Sequence, residues 1–378
     1  MTSGTTYGNR KVAVAGVALS DCGRVDRATP YALHAQAARR ALADSGLDRA
    51  VIDGFASAGL GTLAPVEVAE YLGLRPTWVD STSVGGATWE VLAAHAADAI
   101  AAGHANAVLL VYGSTARADI KAGRRTANLS FGTRGPLQFE VPYGHTLIAK
   151  YAMAARRHMH QYGTTLEQLA QVAVQARANA AANPDALYRD PITVDDVLGG
   201  PVIADPFTKL HCCIRSDGGC AVLLVAEDYV PDLAKPPVWV LGSGTAVSHT
   251  TMSEWDDFTV SPADIDLAEL YDAFTYMTLV TLEDLGFCAK GEGGAFVGEG
   301  RLLRDGALPV NTDGGGLAAC HPGMRGLFLL VEAVRQLRGE AGPDRQVHKP
   351  GGRLPQLAVA SGTGGWFCSS GTVVLGRG

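Results

Sequence analysis

Two stretches of this chain open and close on the same kind of segment, and that repetition constrains the fold more than any single motif. The first stretch begins with an apolar run at 11–19 and ends with an unbroken one at 219–226; the second begins at 237–242 and ends at 371–376. Short continuous runs of this composition read as strands buried on both faces. Helical stretches lie between them, among them the alanine-rich 31–45. Continuous apolar strands alternating with amphipathic helices require sheets covered by helices on both faces, an α/β architecture. The matching order in the two stretches points to an internal duplication. The halves are 1–229 and 230–378, meeting at the proline- and charge-rich link 230–237. Between about 115 and 205 the strand signals thin out and helical ones take over, an insertion of the kind that shapes a substrate pocket.

Composition narrows the function. The 378 residues carry a net charge of −7 with no long basic tract, which argues against nucleic-acid binding. Apolar runs stay below the roughly 18 residues a membrane-spanning helix needs, and no basic-then-apolar leader opens the chain. The expectation is a cytoplasmic protein with no membrane partner. Seven cysteines lack CxxC spacing, which argues against a zinc site and against a disulfide framework. Cys320 and Cys368 lie in glycine-rich turns where they could face a cavity; the adjacent Cys212 and Cys213 point to opposite sides of a strand and would chelate poorly.

Chemistry concentrates at a few turns. At 311–323, Gly314, Gly315 and Gly316 lead to Cys320, His321 and Pro322, and the proline predicts a helix over 324–338 directly behind. That arrangement holds an imidazole at the tip of a loop, facing a cavity. At 80–87, small residues at a strand-to-helix turn place Ser83, Gly85 and Gly86 before a helix N-terminus, where negative charge is stabilised. Ser83 reads either as a nucleophile, which would need an adjacent base, or as a helix-capping serine lining the pocket. Tyr271 and Asp272 follow an apolar strand; a tyrosine there can donate a proton or a hydrogen bond, or be a core residue with its hydroxyl satisfied. A last glycine loop at 360–368 holds Ser361, Gly364, Trp366 and Cys368. His145 sits in a turn before a helix that carries Tyr151, and His158 and His160 read as members of that helix's solvated face. The turn of Ser216, Asp217, Gly218 and Gly219 leads into a buried strand and reads as structural.

Taken together, the segments at 311–323, 267–275, 360–368, 141–159 and 205–219 resemble the thiolase superfamily, in its sterol-carrier or lipid-transfer branch. The resemblance spans nearly the whole chain. It implies the thiolase fold, an α/β architecture of duplicated βαβαβαββ halves in five layers (αβαβα), paired as a homodimer, acting on acyl-CoA with coenzyme A as part of the substrate and no covalently bound cofactor. In that comparison Ser83 stands where thiolases carry the nucleophilic cysteine, and Ser361 lies near the position of the second one. Tyr271 takes the place of an oxyanion-hole asparagine and Asp272 that of the neighbouring glutamate.

An unactivated serine is a far weaker nucleophile than a thiolate, so acyl transfer through an acyl-enzyme is disfavoured. The branch of thiolase-like aldolases that shorten steroid side chains dispenses with acyl transfer. Its members cleave a β-hydroxyacyl-CoA by a retro-aldol reaction, use tyrosines as acid/base groups, and complete the site with an OB-fold (DUF35) partner, here implying a heterotetramer. Tyr271 fits one such tyrosine; Trp366 occupies the loop where the second is expected and cannot transfer a proton. The resemblance therefore implies a C–C lyase with Tyr271 and His321 catalytic, His145 or Cys320 as further proton carriers, and Ser83, Gly364 and Asp272 lining the oxyanion site. A C-acyltransferase or condensing enzyme, and a non-catalytic thiolase-fold subunit, are the alternatives.

Overall fold

The computed structural model describes residues 10–58, 60, 63–124, 135–144, 146–249 and 265–378. The first half runs β1 (Val12–Leu19), α1 (Pro30–Ser45), β2 (Gly54–Ala56), α2 (Ala64–Tyr71), β3 (Trp78–Asp80), α3 (Thr88–Ala101) and β4 (Ala107–Ser114). The insertion follows as α4 (Ala116–Lys121), α5 (Leu147–Tyr162), α6 (Leu166–Ala181) and α7 (Val194–Leu198), then the small strands β5 (Val202–Ala204) and β6 (Phe207–Thr208), before β7 (Gly218–Ala226) closes the half. The second half runs β8 (Val238–Val247), β9 (Leu267–Leu270), α8 (Thr275–Asp284), α9 (Gly293–Phe296), α10 (Gly326–Arg338), β10 (Leu357–Gly364) and β11 (Ser369–Arg377).

The strand order β3-β2-β4-β7-β1-β8-β11-β10-β9 makes the duplication visible. In the first half β2 and β4 are parallel, while β4–β7 and β7–β1 are antiparallel. In the second half β9 and β10 are parallel, while β10–β11 and β11–β8 are antiparallel. Even the parallel β2–β3 pairing has a counterpart, a parallel bridge from Ala268 of β9 to Val310. Among the described residues the two halves of the sheet join where β1 pairs with β8, Ala13 with Trp239 and Val14 with Val238. Helices α3 and α10 pack against strands of both halves and against each other, forming the central layer of an αβαβα stack. Both are buried on nearly every side, as a helix between two sheets must be.

Local chemistry sets the element ends. α1 starts one residue earlier than its alanine pattern predicts, because Pro30 opens the helix and the Thr29 hydroxyl accepts from the Ala32 amide; Gly46 ends it in the left-handed region. α10 begins at Gly326, not at 324 as expected behind Pro322. Gly323 has φ +105, a conformation no helix contains, so the chain turns once more before the helix starts. Among the described residues no helix is long and apolar enough to cross a membrane, and no cluster of His, Cys, Asp or Glu is disposed to hold a metal ion.

Candidate active site

The histidine loop is built on buried ionic anchors. Gly314 takes φ +100 and leads into a π-type turn over Gly315–Ala319, after which Cys320 is extended. Arg325 is fully buried behind this turn, its guanidinium donating to the Cys320 carbonyl at 2.7 Å and to both oxygens of Asp313 at 2.6 Å. The His321 amide donates to Ser216 Oγ at 2.8 Å, and Tyr112 donates its hydroxyl to the Pro322 carbonyl at 2.9 Å. Asp272 closes the loop from the other side, accepting from the Gly316 amide at 2.7 Å and the Leu317 amide at 3.3 Å, with Arg325 Nε 3.6 Å away. Any Cβ on Gly315 would run into Asp272 Oδ2, at φ +66. The Asp272 carboxylate thus grips loop backbone; burial raises it to about 7, against the lowering effect of Arg325.

Tyr271 comes off the end of β9, its amide bonded to the Ser361 carbonyl of β10. Its ring stands nearly perpendicular to His321, with centroids 5.5 Å apart and planes at 79°. The opposite wall is the turn before α3: Tyr271 Cζ lies 2.6 Å from where a Cβ of Gly86 would be, and Gly364 lies directly on the Val84 carbonyl. Glycines at 85, 86 and 364 are what let this turn, β10 and the tyrosine meet. Tyr271, His321, the Gly86 turn and the 363–365 backbone therefore share one corner of the fold, at the C-terminal ends of β9 and β10.

Burial sets the protonation of the pair. Tyr271 is held well above the usual phenol range by burial first, then by Cys213, Tyr112, Tyr151 and Glu90. His321 is lowered to about 4 by burial and then by the Arg325 charge, and its Nε2 has no partner among the described residues. At neutral pH the corner offers a neutral phenol and a neutral imidazole. A phenol O–H can stabilise a developing oxyanion, and a free imidazole nitrogen can take a proton.

The remaining residues singled out from the sequence fall in different places. Ser83 is exposed and does not cap the helix; α3 has no side-chain cap, and the Thr88 hydroxyl accepts instead from the upstream Val84 amide. Cys320 is buried behind His321, with its sulfur 3.2 Å from Ser216 Oγ, not turned to a cavity. Ser361 bonds Thr372 within the sheet, and Cys368 Sγ donates to the Gly364 carbonyl at 3.4 Å. Trp366 is covered by Lys150, whose ammonium sits 3.5 Å from the ring centroid. His145 lies outside the described residues. His158 is not on a solvated face: it is buried between Glu283 at 3.1 Å and Thr164 at 2.9 Å, because α5 is covered by the loop from Thr164 and by α8, while His160 is exposed. The Cys212–Cys213 stretch pairs with residues 273 and 274, tying it to the segment behind Tyr271.

Three participants escaped sequence reasoning. Ser216 was read only as part of a structural turn, Arg325 fell unremarked within the predicted helix over 324–338, and Tyr112 was not singled out. Only Arg325 had a signal, a lone arginine in an apolar helix onset.

Comparison with known proteins follows from this geometry. Residues 245–377 match the family model described as Thiolase C-terminal domain-like. The chain is 32% identical to the 17-hydroxy-3-oxo-4-pregnene-20-carboxyl-CoA lyase of Mycobacterium tuberculosis, over 94% of this chain and 97% of that protein. It is 33% identical to an acetyl-CoA acetyltransferase of Methanothermobacter thermautotrophicus, with the same coverage of 94% and 97%. Among solved structures it is similar to the Ltp2-ChsH2(DUF35) aldolase, with TM-score 0.85 and 29% identity over 97% of this chain and 98% of that one.

Proposed function

The chain belongs to the thiolase superfamily, in its sterol-carrier and lipid-transfer thiolase-like branch, and from that premise we propose that it is a C–C lyase cleaving a β-hydroxyacyl-CoA by a retro-aldol reaction. One observation carries the reading: a neutral tyrosine and a neutral histidine stand edge to face, 5.5 Å apart, at the position that the resemblance gives to the thiolase oxyanion site, while the nucleophile position holds the exposed Ser83. In the proposed reaction His321 Nε2 accepts the β-hydroxyl proton. The Cα–Cβ bond breaks, its electron pair passes to the thioester as an enolate, and the β-carbon leaves as a carbonyl. Tyr271 donates a hydrogen bond to the enolate oxygen, and the imidazolium returns the proton to the α-carbon. Coenzyme A enters only as part of the substrate.

The lyase relative supports a steroid-like acyl chain, and the aldolase structure, named with a DUF35 protein, supports a two-component assembly with an OB-fold partner. A homodimer is supported by β3 at the sheet edge, where Val79 is 49% exposed. The acetyltransferase relative favours condensation as the second reading, with the acyl group passed directly or held on Ser83 or Cys320.

The test is Tyr271→Phe, assayed for release of the carbonyl product with the purified partner present. Removing one oxyanion donor costs about 3 to 4 kcal/mol, so kcat falls roughly 100- to 1000-fold with the fold intact. A wild-type rate in the variant defeats the reading. A stable acyl adduct on Ser83 or Cys320, seen by mass spectrometry, replaces it with acyl transfer.

A further inference from the structure

Glu90 is a carboxyl group that the proposed chemistry does not use and that no local need explains. It lies in the first turn of α3, it is 0% exposed, and neither of its oxygens has a partner among the described residues. A carboxyl left so is costly, and a charged one far more so. Room for it comes from glycines on three separate elements. A Cβ on Gly326 would lie 2.5 Å from Glu90 Oε2, one on Gly362 would strike the same oxygen, and one on Gly371 would lie 3.0 Å from Glu90 Cβ.

The slot borders the active corner. The same point beside Gly326 that is 2.5 and 2.8 Å from the two carboxyl oxygens is 2.8 Å from the Gly86 carbonyl oxygen. The carboxyl and that carbonyl therefore both border the same face of Gly326. On the other side of Gly86 stands the Tyr271 ring. We propose that Glu90 is a positioning residue for Tyr271, its carboxyl O–H donating to the Gly86 carbonyl and so pinning the turn on which the tyrosine rests.

The protonation this needs agrees with the surroundings. Burial pushes Glu90 up to about 8, opposed only by its own backbone amide. The titratable groups that feel it are Tyr271 at the end of β9 and Cys220 on β7, both raised further by a Glu90 charge. Arg325, at the onset of α10, is committed to Asp313 and the Cys320 carbonyl. On α3 itself the next charged residues are His95 and Asp98, beyond the buried turn; Gly362 of β10 and Gly371 of β11 approach Glu90 without a side chain. An ionised Glu90 would set lone pairs against the Gly86 carbonyl with no proton between them, and the turn would shift.

The kinetic arm of the test rests on the lyase reading; two other arms do not. Glu90→Gln keeps a donor but cannot ionise, and Glu90→Leu fills the space without donating. Expected kinetics are a wild-type kcat that falls above about pH 8, a Gln variant that keeps the neutral rate and loses that fall, and a Leu variant with kcat down about tenfold at unchanged KM. Thermal unfolding of the same proteins is expected to show stability falling more steeply between about pH 5 and 8 in the wild type than in either variant, which keep the other raised acids such as Asp272 but lack the Glu90 carboxyl. Tyrosine labelled at 13Cζ is expected to give a Tyr271 resonance, assigned with Tyr271→Phe, that moves in the Leu variant and not in the Gln variant. An unmoved resonance in Glu90→Leu overturns the positioning role, and parallel stability profiles overturn the neutral carboxyl. If no protein cleaves substrate while the resonance and stability arms behave as expected, the lyase reading fails and the role of Glu90 stands.

Discussion

Arg325→Met tests whether the histidine loop is held by charge. Arg325 is completely buried and serves Asp313, Asp272 and the Cys320 carbonyl at once. Burial alone would raise Asp313, but the Arg325 charge and its two hydrogen bonds outweigh it and hold the carboxyl below its usual value. Methionine keeps the bulk and removes the charge. Asp313 must then stay charged without its partner or take up a proton. The second route limits the cost: protonating a carboxyl with an ordinary value near 4 at pH 7 costs about 4 kcal/mol, at 1.4 kcal/mol per unit. The lost bond to the Cys320 carbonyl adds about 1 kcal/mol. The expected loss is therefore about 4 to 5 kcal/mol at pH 7, in the range seen when one partner of a buried ion pair is removed. The sign of the pH dependence distinguishes this from a packing defect. In the wild type a depressed Asp313 contributes stability that is lost as pH falls through its folded value. In the variant the raised carboxyl loses stability as pH rises, so the gap between the proteins narrows to about 2 kcal/mol at pH 5. Urea unfolding at both pH values, with equal m, is the assay. A loss under about 1 kcal/mol at pH 7, or a loss of the same size at pH 5, refutes the reasoning.

Gly315→Ala places a methyl group against Asp272 at φ +66 and is expected to destabilise by at least about 2 kcal/mol, from left-handed strain plus the clash. Gly103→Ala, at φ +78 with nothing within 4 Å, is the control and should cost only about 1 kcal/mol in the same denaturation experiment; equal losses would mean that the Asp272 contact is immaterial. His34, His211 and His321 are each held down to about 4 by burial. A histidine lowered in the folded state contributes stability that is whole above the ordinary value of about 6.5 and is lost as pH falls toward the folded one. His34→Gln should therefore flatten the slope of unfolding free energy between about pH 6 and 4.5 by about 1.4 kcal/mol per unit, and an unchanged slope would show that His34 is not neutral in the fold.

The readable part of the site was the part made of turns. Gly314 to Gly316, Pro322 and Gly323 announce a loop that carries His321. Gly85 and Gly86 announce a turn before a helix, and Tyr271 follows an apolar strand. Spacing places these residues because glycine and proline act on the backbone next to them. Nothing local distinguishes the residues that hold them. Ser216 meets the His321 amide across 105 residues, and Asn179 reaches the Val310 carbonyl across 131. His158 has the spacing of an exposed helical position and is buried because the loop at Thr164 and Glu283 of α8 close over it. Glu90 stands where a glutamate ordinarily favours a helix N-terminus in water; two sheets closing on α3 make it a buried acid.

What the sequence determined alone was the kind of element at each place and their repetition: apolar runs long enough only for strands, alanine-rich helices between them, a glycine turn that brings His321 forward, and an apolar strand that ends at Tyr271. These follow from side-chain periodicity and backbone freedom, which act over a few residues. Tertiary structure decided which strands pair, that the two halves of the sheet join at β1 and β8, that Ser83 faces solvent, and that His321 is held neutral by burial. Those outcomes depend on which surfaces exclude water from each other, and burial of that kind exists only once distant segments have packed.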